Sequence, residues 1–391
     1  MDFERAAFRA NPGYELVVLD RLTPAELALV PDGPHGEVAD EELYGLLRPR
    51  PPARLDTYAV SADTALLFLT LAQAGPLPTY VFRRLGTRAE ATIARLILDE
   101  ILEVERDGVF VSGARAAQAF EPGNGAAGTG RIGALSVAAL RYGQSLHGLP
   151  EPLLATRLYC YGRKPIHPEL QHRFPTGTTI AIHLGLAASG AVRVVLDAAG
   201  WVESSGSTAH HNHWWQWQAR PAPDPGIASR QARYKLYLSP AVEALPTALE
   251  VLAAALVRTR GVQAFKVGAD LAGISRPDKL IAYFEHIEDL YQAADRLSDH
   301  LAGCPAHGVP FTATITSDGL LSWGADPPAT RTSWRMWVAA RLAEYLTLGR
   351  ATGGEADEPW RFALQRLRLS GIDTETWVPT AGMWPDVLRN G

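Results

Sequence analysis

The chain has 391 residues, 47% apolar and 20% charged, with a net charge of −5; that length and balance predict a globular protein of two or three domains. The negative balance argues against a nucleic-acid partner, which would call for a basic patch or stripe. Two cysteines, Cys160 and Cys304, are too few for a disulfide framework or a zinc site and suit a reducing cytoplasm.

Residues 1–56 read as an extended, Pro-rich segment closing on RPRPPARLD, with short helical pieces at 24–30 and 40–47. The opening MDFERAAFRANPGYELVVLD has no apolar h-region, so no secretory signal is expected. No run of about 18 apolar residues occurs anywhere, so no membrane span is expected.

Residues 57–120 form the clearest local unit. SADTALLFLTLAQAG has helical periodicity between a Ser start and a Gly stop, and LPTYVFRRLG reads as a second short helix. TRAEATIARLILDEILEVE is a third, with Thr87 and Glu90 at capping-box spacing. ILEVERDGVFVSG then reads as a hairpin around Asp107-Gly108. Three helices and a hairpin make a winged-helix-like pattern. It suits a structural or dimerising module as well as one that docks a peptide partner. Scattered basics (Arg83, Arg84, Arg88, Arg95) make DNA a poorer fit.

EPGNGAAGTG marks a Gly-rich linker over 121–131; it lacks a Walker lysine, which argues against a phosphate loop. Residues 132–391 read as an α+β domain, a mixed and largely antiparallel sheet with packed helices. Helices are expected at 132–147, 244–261, 287–303 and 333–349, with a short segment of unassigned type at 151–156. Strands are expected at RLYCYG, TTIAIHLGL, AVRVVLDAAG, YKLYLS, QAFKVG, KLIAYF, FTATIT and LLSW.

Chemistry is suggested by cations on these strands. In QAFKVG, Lys266 points opposite to Phe265 and Val267. That is ordinary for a solvated sheet face, but Lys235 sits the same way in YKLYL. Arg276 and Lys279 flank the next strand, and Arg331 and Arg335 open the late helix. If these meet, they form an anion site for phosphate, whose oxygens match the guanidinium fork. A lysine among cations loses its proton more easily and becomes a candidate general base for an α-proton. Phosphate would then leave phosphoserine or phosphothreonine by β-elimination, with no metal, nucleotide or redox cofactor required.

The acid is open; histidine is the usual choice, and His183, His286 (just after the strand at 284) and His307 (before VPFT) are the candidates. His183 on its expected strand serves either as a proton donor or as a core histidine. Asp278 either orients Arg276 or Lys266, or caps the turn after Pro277. HHNH (His210, His211, His213) lacks a carboxylate or cysteine to complete a metal site. With Trp214, Trp215 and Trp217 beside it, the stretch reads better as a peptide grip.

The succession YKLYLSP, helix, GVQAFKVG, RPDKLIAYF, helix, HGVPFTATITSDGLLSWGADPP and SWRMWVAARLAEYL resembles the Hop-type type III effector family over residues 230–350, and more loosely over 132–230. Its actinobacterial relatives accompany class V lanthipeptide and thioamitide biosynthesis. The resemblance implies a phosphoserine/phosphothreonine lyase acting beside a phosphotransferase-like kinase on a phosphorylated precursor peptide. It also implies a lysine base, a histidine acid and arginine clamps. Lys266, Arg276 with Asp278, and Arg335 match the pattern by position, followed by Lys235 and Tyr237. Trp334 stands where relatives often carry a histidine. Two other readings remain: a catalytically silent scaffold binding the peptide or the kinase, and an effector-like protein acting on cell proteins.

Overall fold

Period-two alternation governs the central sheet. In the strand Val262–Gly268, Phe265 and Val267 are fully buried while Lys266, between them, is not. The computed structural model describes residues 2–3, 5–27, 43–53, 55–120, 130–204, 214–219, 233–328, 330, 332–352, 358–380 and 383. These fall into two units, residues 1–125 with 345–369, and residues 126–344 with 370–391. The second domain expected from sequence thus gives up 345–369 to the first unit.

In the second unit, seven strands run in the order Ala313–Thr314, Leu321–Ala325, Tyr234–Leu238, Leu280–Phe284, Val262–Gly268, Trp214–Gln218, Val202–Glu203, and every described pairing is antiparallel. One face packs Leu236, Leu238, Phe265, Val267, Leu280, Ala282, Phe284 and Leu321 into a core with the helices Ala191–Ala198, Leu245–Leu256 and Ile287–His300. Burying each large apolar side chain there contributes about 1.5–3 kcal/mol. The opposite face carries Lys235, Tyr237, Lys266, Ile281, Tyr283 and Trp214, because directly paired residues share a face. On that face Gly324 has no side chain for a reason: a Cβ would stand 2.5 Å from the Trp334 ring.

The fold class is α+β, as expected, but three segments change type. RLYCYG is the end of the helix Glu151–Tyr159, TTIAIHLGL gives the helix Gly177–His183, and AVRVVLDAAG gives Ala191–Ala198. The Gly177–His183 helix starts from a reciprocal cap, Thr176 with Thr179. In Ala191–Ala198 the buried pair is Val192 and Leu196, four apart, with Val194 and Val195 exposed. Helical spacing overrode the β-branched composition.

In the first unit, the helices Ala62–Thr70, Thr79–Leu85 and Ala89–Leu98 precede a hairpin of Leu102–Arg106 and Val109–Val111. Asp107 and Gly108 both have positive φ, as a tight primed turn demands. Phe8–Ala10 adds a third strand to the hairpin. The third helix starts at Ala89 after a 3-10 turn, so Thr87 does not cap it. A second sheet, Tyr14–Val18, Leu43–Pro49 and Tyr58–Ser61, replaces most of the expected loop, and residues 43–47 are strand rather than helix. Phe8, Leu47, Ile93, Ile97, Leu102 and Val104 are wholly buried in this unit's core.

Candidate functional site

Three chain segments converge on the polar side of the central sheet. The loop before the strand Leu280–Phe284 supplies Arg276 and Asp278, the helix Trp334–Thr352 supplies Arg335 in its first turn, and Glu151–Tyr159 ends there with Tyr159. Asp278 is at the centre and 2% exposed. Its Oδ1 accepts from Arg276 Nε at 2.8 Å. Its Oδ2 accepts from Arg276 Nη2 at 2.9 Å, Arg335 Nη1 at 2.8 Å and the Tyr159 hydroxyl at 3.3 Å. Burial alone would raise its pKa, but the guanidinium groups of Arg335 and Arg276 hold the carboxyl well below the usual range.

Arg335 is enclosed. Its Nε donates to the Pro310 carbonyl at 3.1 Å and its Nη2 to the Tyr159 carbonyl at 2.9 Å. The latter is one of the carbonyls that a helix end leaves unpaired, where a cation is favoured. Phe311, beside Pro310, has φ of 63°, and its carbonyl accepts from the Trp334 indole at 2.9 Å. A non-glycine residue in the left-handed region is uncommon, and here the flanking carbonyls have fixed partners.

Arg276 donates a further bond to the Tyr159 hydroxyl at 2.9 Å and lies 5.0 Å from the Trp214 ring. Burial opposes its charge, yet the bonds to Asp278 keep it firmly protonated. Lys266 Nζ stands 4.3 Å over Trp214 and 5.7 Å from the Tyr283 ring. It has no carboxylate partner among the described residues. Burial, with Lys235 and Arg276 nearby, pushes its pKa down to about 8, against the opposing pull of Asp278 and Asp326. Lys235 is instead ion-paired with Asp326 and lies 5.5 Å from the Tyr283 ring. Four cations thus face two carboxylates on an aromatic floor, an excess of positive charge suited to an anion.

The structure therefore brings together Lys266, Lys235, Arg276, Asp278, Arg335 and Trp214. It places other expected site residues elsewhere. Lys279 is fully buried and donates to the Pro240 carbonyl at 2.7 Å, with His307 Nδ1 at 2.9 Å. His307 Nε2 lies 2.6 Å from the Gly162 carbonyl, so that nitrogen carries the proton and Nδ1 accepts from Lys279. Burial lowers Lys279 to about 7; burial and then Lys279 lower His307 to about 4. His183 ends a helix, packs on Phe174 at 4.8 Å, and is lowered by burial and Arg173. Trp217 is 2% exposed and stacks on Phe265 at 5.2 Å, and Trp215 packs on the same core. Both tryptophans point away from the site, because they alternate with Trp214 and Gln216 along the strand. Arg331, His210, His211 and His213 lie outside the described residues.

Tyr159, Tyr283 and Asp326 were not singled out from sequence. Tyr283 shares the sheet face of Lys266 and was within reach of a strand-pairing argument. Tyr159 was hidden by its assignment to a strand. Among the described residues no group of three His, Cys, Asp or Glu is placed to hold a metal ion, and no helix is long and apolar enough to cross a membrane.

No protein-family model matches the sequence, and no curated protein matches it. Among solved structures, the chain is similar to an effector protein from Pseudomonas syringae pv. tomato strain DC3000 (10% identity, 68% of this chain and 99% of that one, TM-score 0.43). It is also similar to an effector from Pseudomonas syringae pv. syringae strain 61 (11%, 63% and 96%, 0.39). A third is the type III effector/phosphothreonine lyase OspF from Shigella flexneri (11%, 38% and 84%, 0.28). Overlays this loose assign no residue a role.

Proposed function

We propose that the protein is a lyase that eliminates phosphate from phosphoserine or phosphothreonine in a peptide, leaving a dehydro-amino acid. One observation carries the reading: an amine with a pKa near 8 and no carboxylate partner among the described residues sits within a cluster of cations. At pH 7 roughly one molecule in ten then holds Lys266 as the free amine that a proton abstraction needs. Lys266 takes the α-proton. Arg276 and Lys235 meet the phosphate and the developing enolate, where fixed positive charge is most effective. Arg335 and Asp278 do not touch the substrate; they hold Arg276 in place. The substrate would be a precursor peptide phosphorylated by a phosphotransferase-like kinase partner in the cytoplasm, and the first unit would dock the peptide or the kinase.

A second reading is a scaffold that grips the phosphopeptide without chemistry. The observation favouring it is that Arg335 has Asp278 and two carbonyls as partners, and that neither His183 nor His307 joins the cluster. Incubation with a phosphothreonine peptide separates the two. Release of phosphate with loss of the corresponding peptide mass by wild type, and intact phosphopeptide with Lys266→Ala, supports the lyase. Binding without elimination by wild type supports the scaffold.

A further inference from the structure

The elimination proposed above needs a proton for the departing phosphate as well as a base. On that reading, the geometry points to Lys235 as the proton donor. Lys235 and Lys266 are two lysines on one sheet face in contrasting surroundings. Lys235 lies directly opposite Tyr283 in the strand pairing, and Tyr283 lies opposite Ala264, two residues before Lys266. Directly paired residues share a face, so all three side chains rise on the same side. The Tyr283 ring is flanked by both ammonium groups, at 5.5 Å from Lys235 Nζ and 5.7 Å from Lys266 Nζ.

The two differ in their company. Asp326 pairs with Lys235, whereas Lys266 has no carboxylate partner among the described residues and is pushed toward the free amine by burial and by Lys235. Environments that separate two similar groups in this way assign one as acid and the other as base. The other protic groups of the site are poorer donors. Burial raises Tyr159, Tyr237 and Tyr283 above an ordinary phenol. The Tyr159 hydroxyl is also engaged with Arg276 and Asp278. His307 is fixed between Lys279 and Gly162.

The step balances. Lys266 Nζ binds the α-proton, the Cα–H electron pair becomes the Cα=Cβ bond, and the Cβ–O bond breaks with its electrons on the ester oxygen. Lys235 gives that oxygen a proton. Inorganic phosphate and a dehydro residue leave; Lys235 regains a proton from water and Lys266 returns one to it.

The test compares leaving groups. A phosphothreonine peptide and the same peptide carrying O-sulfothreonine are assayed with wild type, Lys235→Met and Lys235→Arg. Sulfate departs as a stable dianion and needs no proton. Lys235→Met is expected to slow phosphate elimination about 100-fold or more but sulfate elimination less than about tenfold. Lys235→Arg keeps the ion pair with Asp326 but donates a proton poorly; it should show the same selective loss, and it guards against misfolding of the methionine variant. Equal losses on both substrates, with wild type active, overturn the assignment of Lys235 and leave the lyase reading standing. Wild type inactive on both substrates overturns the two together.

Discussion

Arg335 and Asp278 meet at 2.8 Å with side chains only 1% and 3% exposed, so each is the other's substitute for water. Removing one member of such a pair strands the other charge in the interior, at a cost of about 3–5 kcal/mol. Asp278→Asn should therefore lower the unfolding free energy by that order in urea titrations. The carboxyl also has a pKa far below its unfolded value of about 3.9, so its contribution is complete above that pH and is lost as the pH falls below it. The acid-induced loss of stability below about pH 4 should be shallower in Asp278→Asn than in wild type.

Lys266 has a linkage of the same sign from the opposite cause, because its surroundings disfavour the charged form rather than favour it. Its folded pKa of about 8 lies below the unfolded value of about 10.4, so between them the unfolded chain binds the extra proton. Wild-type stability rises with pH across that window. Lys266→Met should be more stable than wild type at pH 7, and the gap should narrow as the pH approaches 10. Equal stability differences at both values would contradict the buried charge. In assays of wild type, kcat/KM should fall about tenfold per pH unit below 8 as the base becomes protonated.

Trp214 and Trp217 lie three residues apart on one strand and face opposite sides of the sheet, and only Trp217 belongs to the principal core cluster. Trp217→Ala should cost about 3–5 kcal/mol, the usual range for truncating a buried aromatic. Trp214→Ala removes the ring beneath Lys266 and Arg276, and should cost much less stability while weakening phosphopeptide affinity in calorimetric titrations.

His307 should stay neutral down to about pH 4, as followed by NMR of its ring protons. Its unfolded pKa is about 6.5, so stability is present above that value and is lost as pH falls from there toward 4. His307→Gln should remove this component of the acid dependence, as measured by unfolding at pH 7 and pH 5.

The sheet was legible where β-branched and aromatic residues alternate between turns: YKLYL, QAFKVG and KLIAYF are strands, and Lys266 and Lys235 share a face as alternation required. The helices at 177–183 and 191–198 were not, because a short run rich in Val, Ile and Thr fits a strand and a buried helix equally well until its partners are known. Parity along WWQWQ already divides Trp214 from Trp215 and Trp217; what sequence withheld was which parity faces the core. The role of Asp278 depends on Arg335 and Tyr159, and no local pattern announces contacts at such separations. The burial of Lys279 against Pro240 and His307 was hidden for the same reason.

Tyr159 uses its carbonyl for Arg335 and its hydroxyl for Arg276 and Asp278, closing bonds that span 176, 117 and 119 residues. Loops of that size close late in folding, after local helices and hairpins have formed. A refolding chain would regain its circular dichroism well before its activity, and the delay between the two signals would report the arrival of one tyrosine.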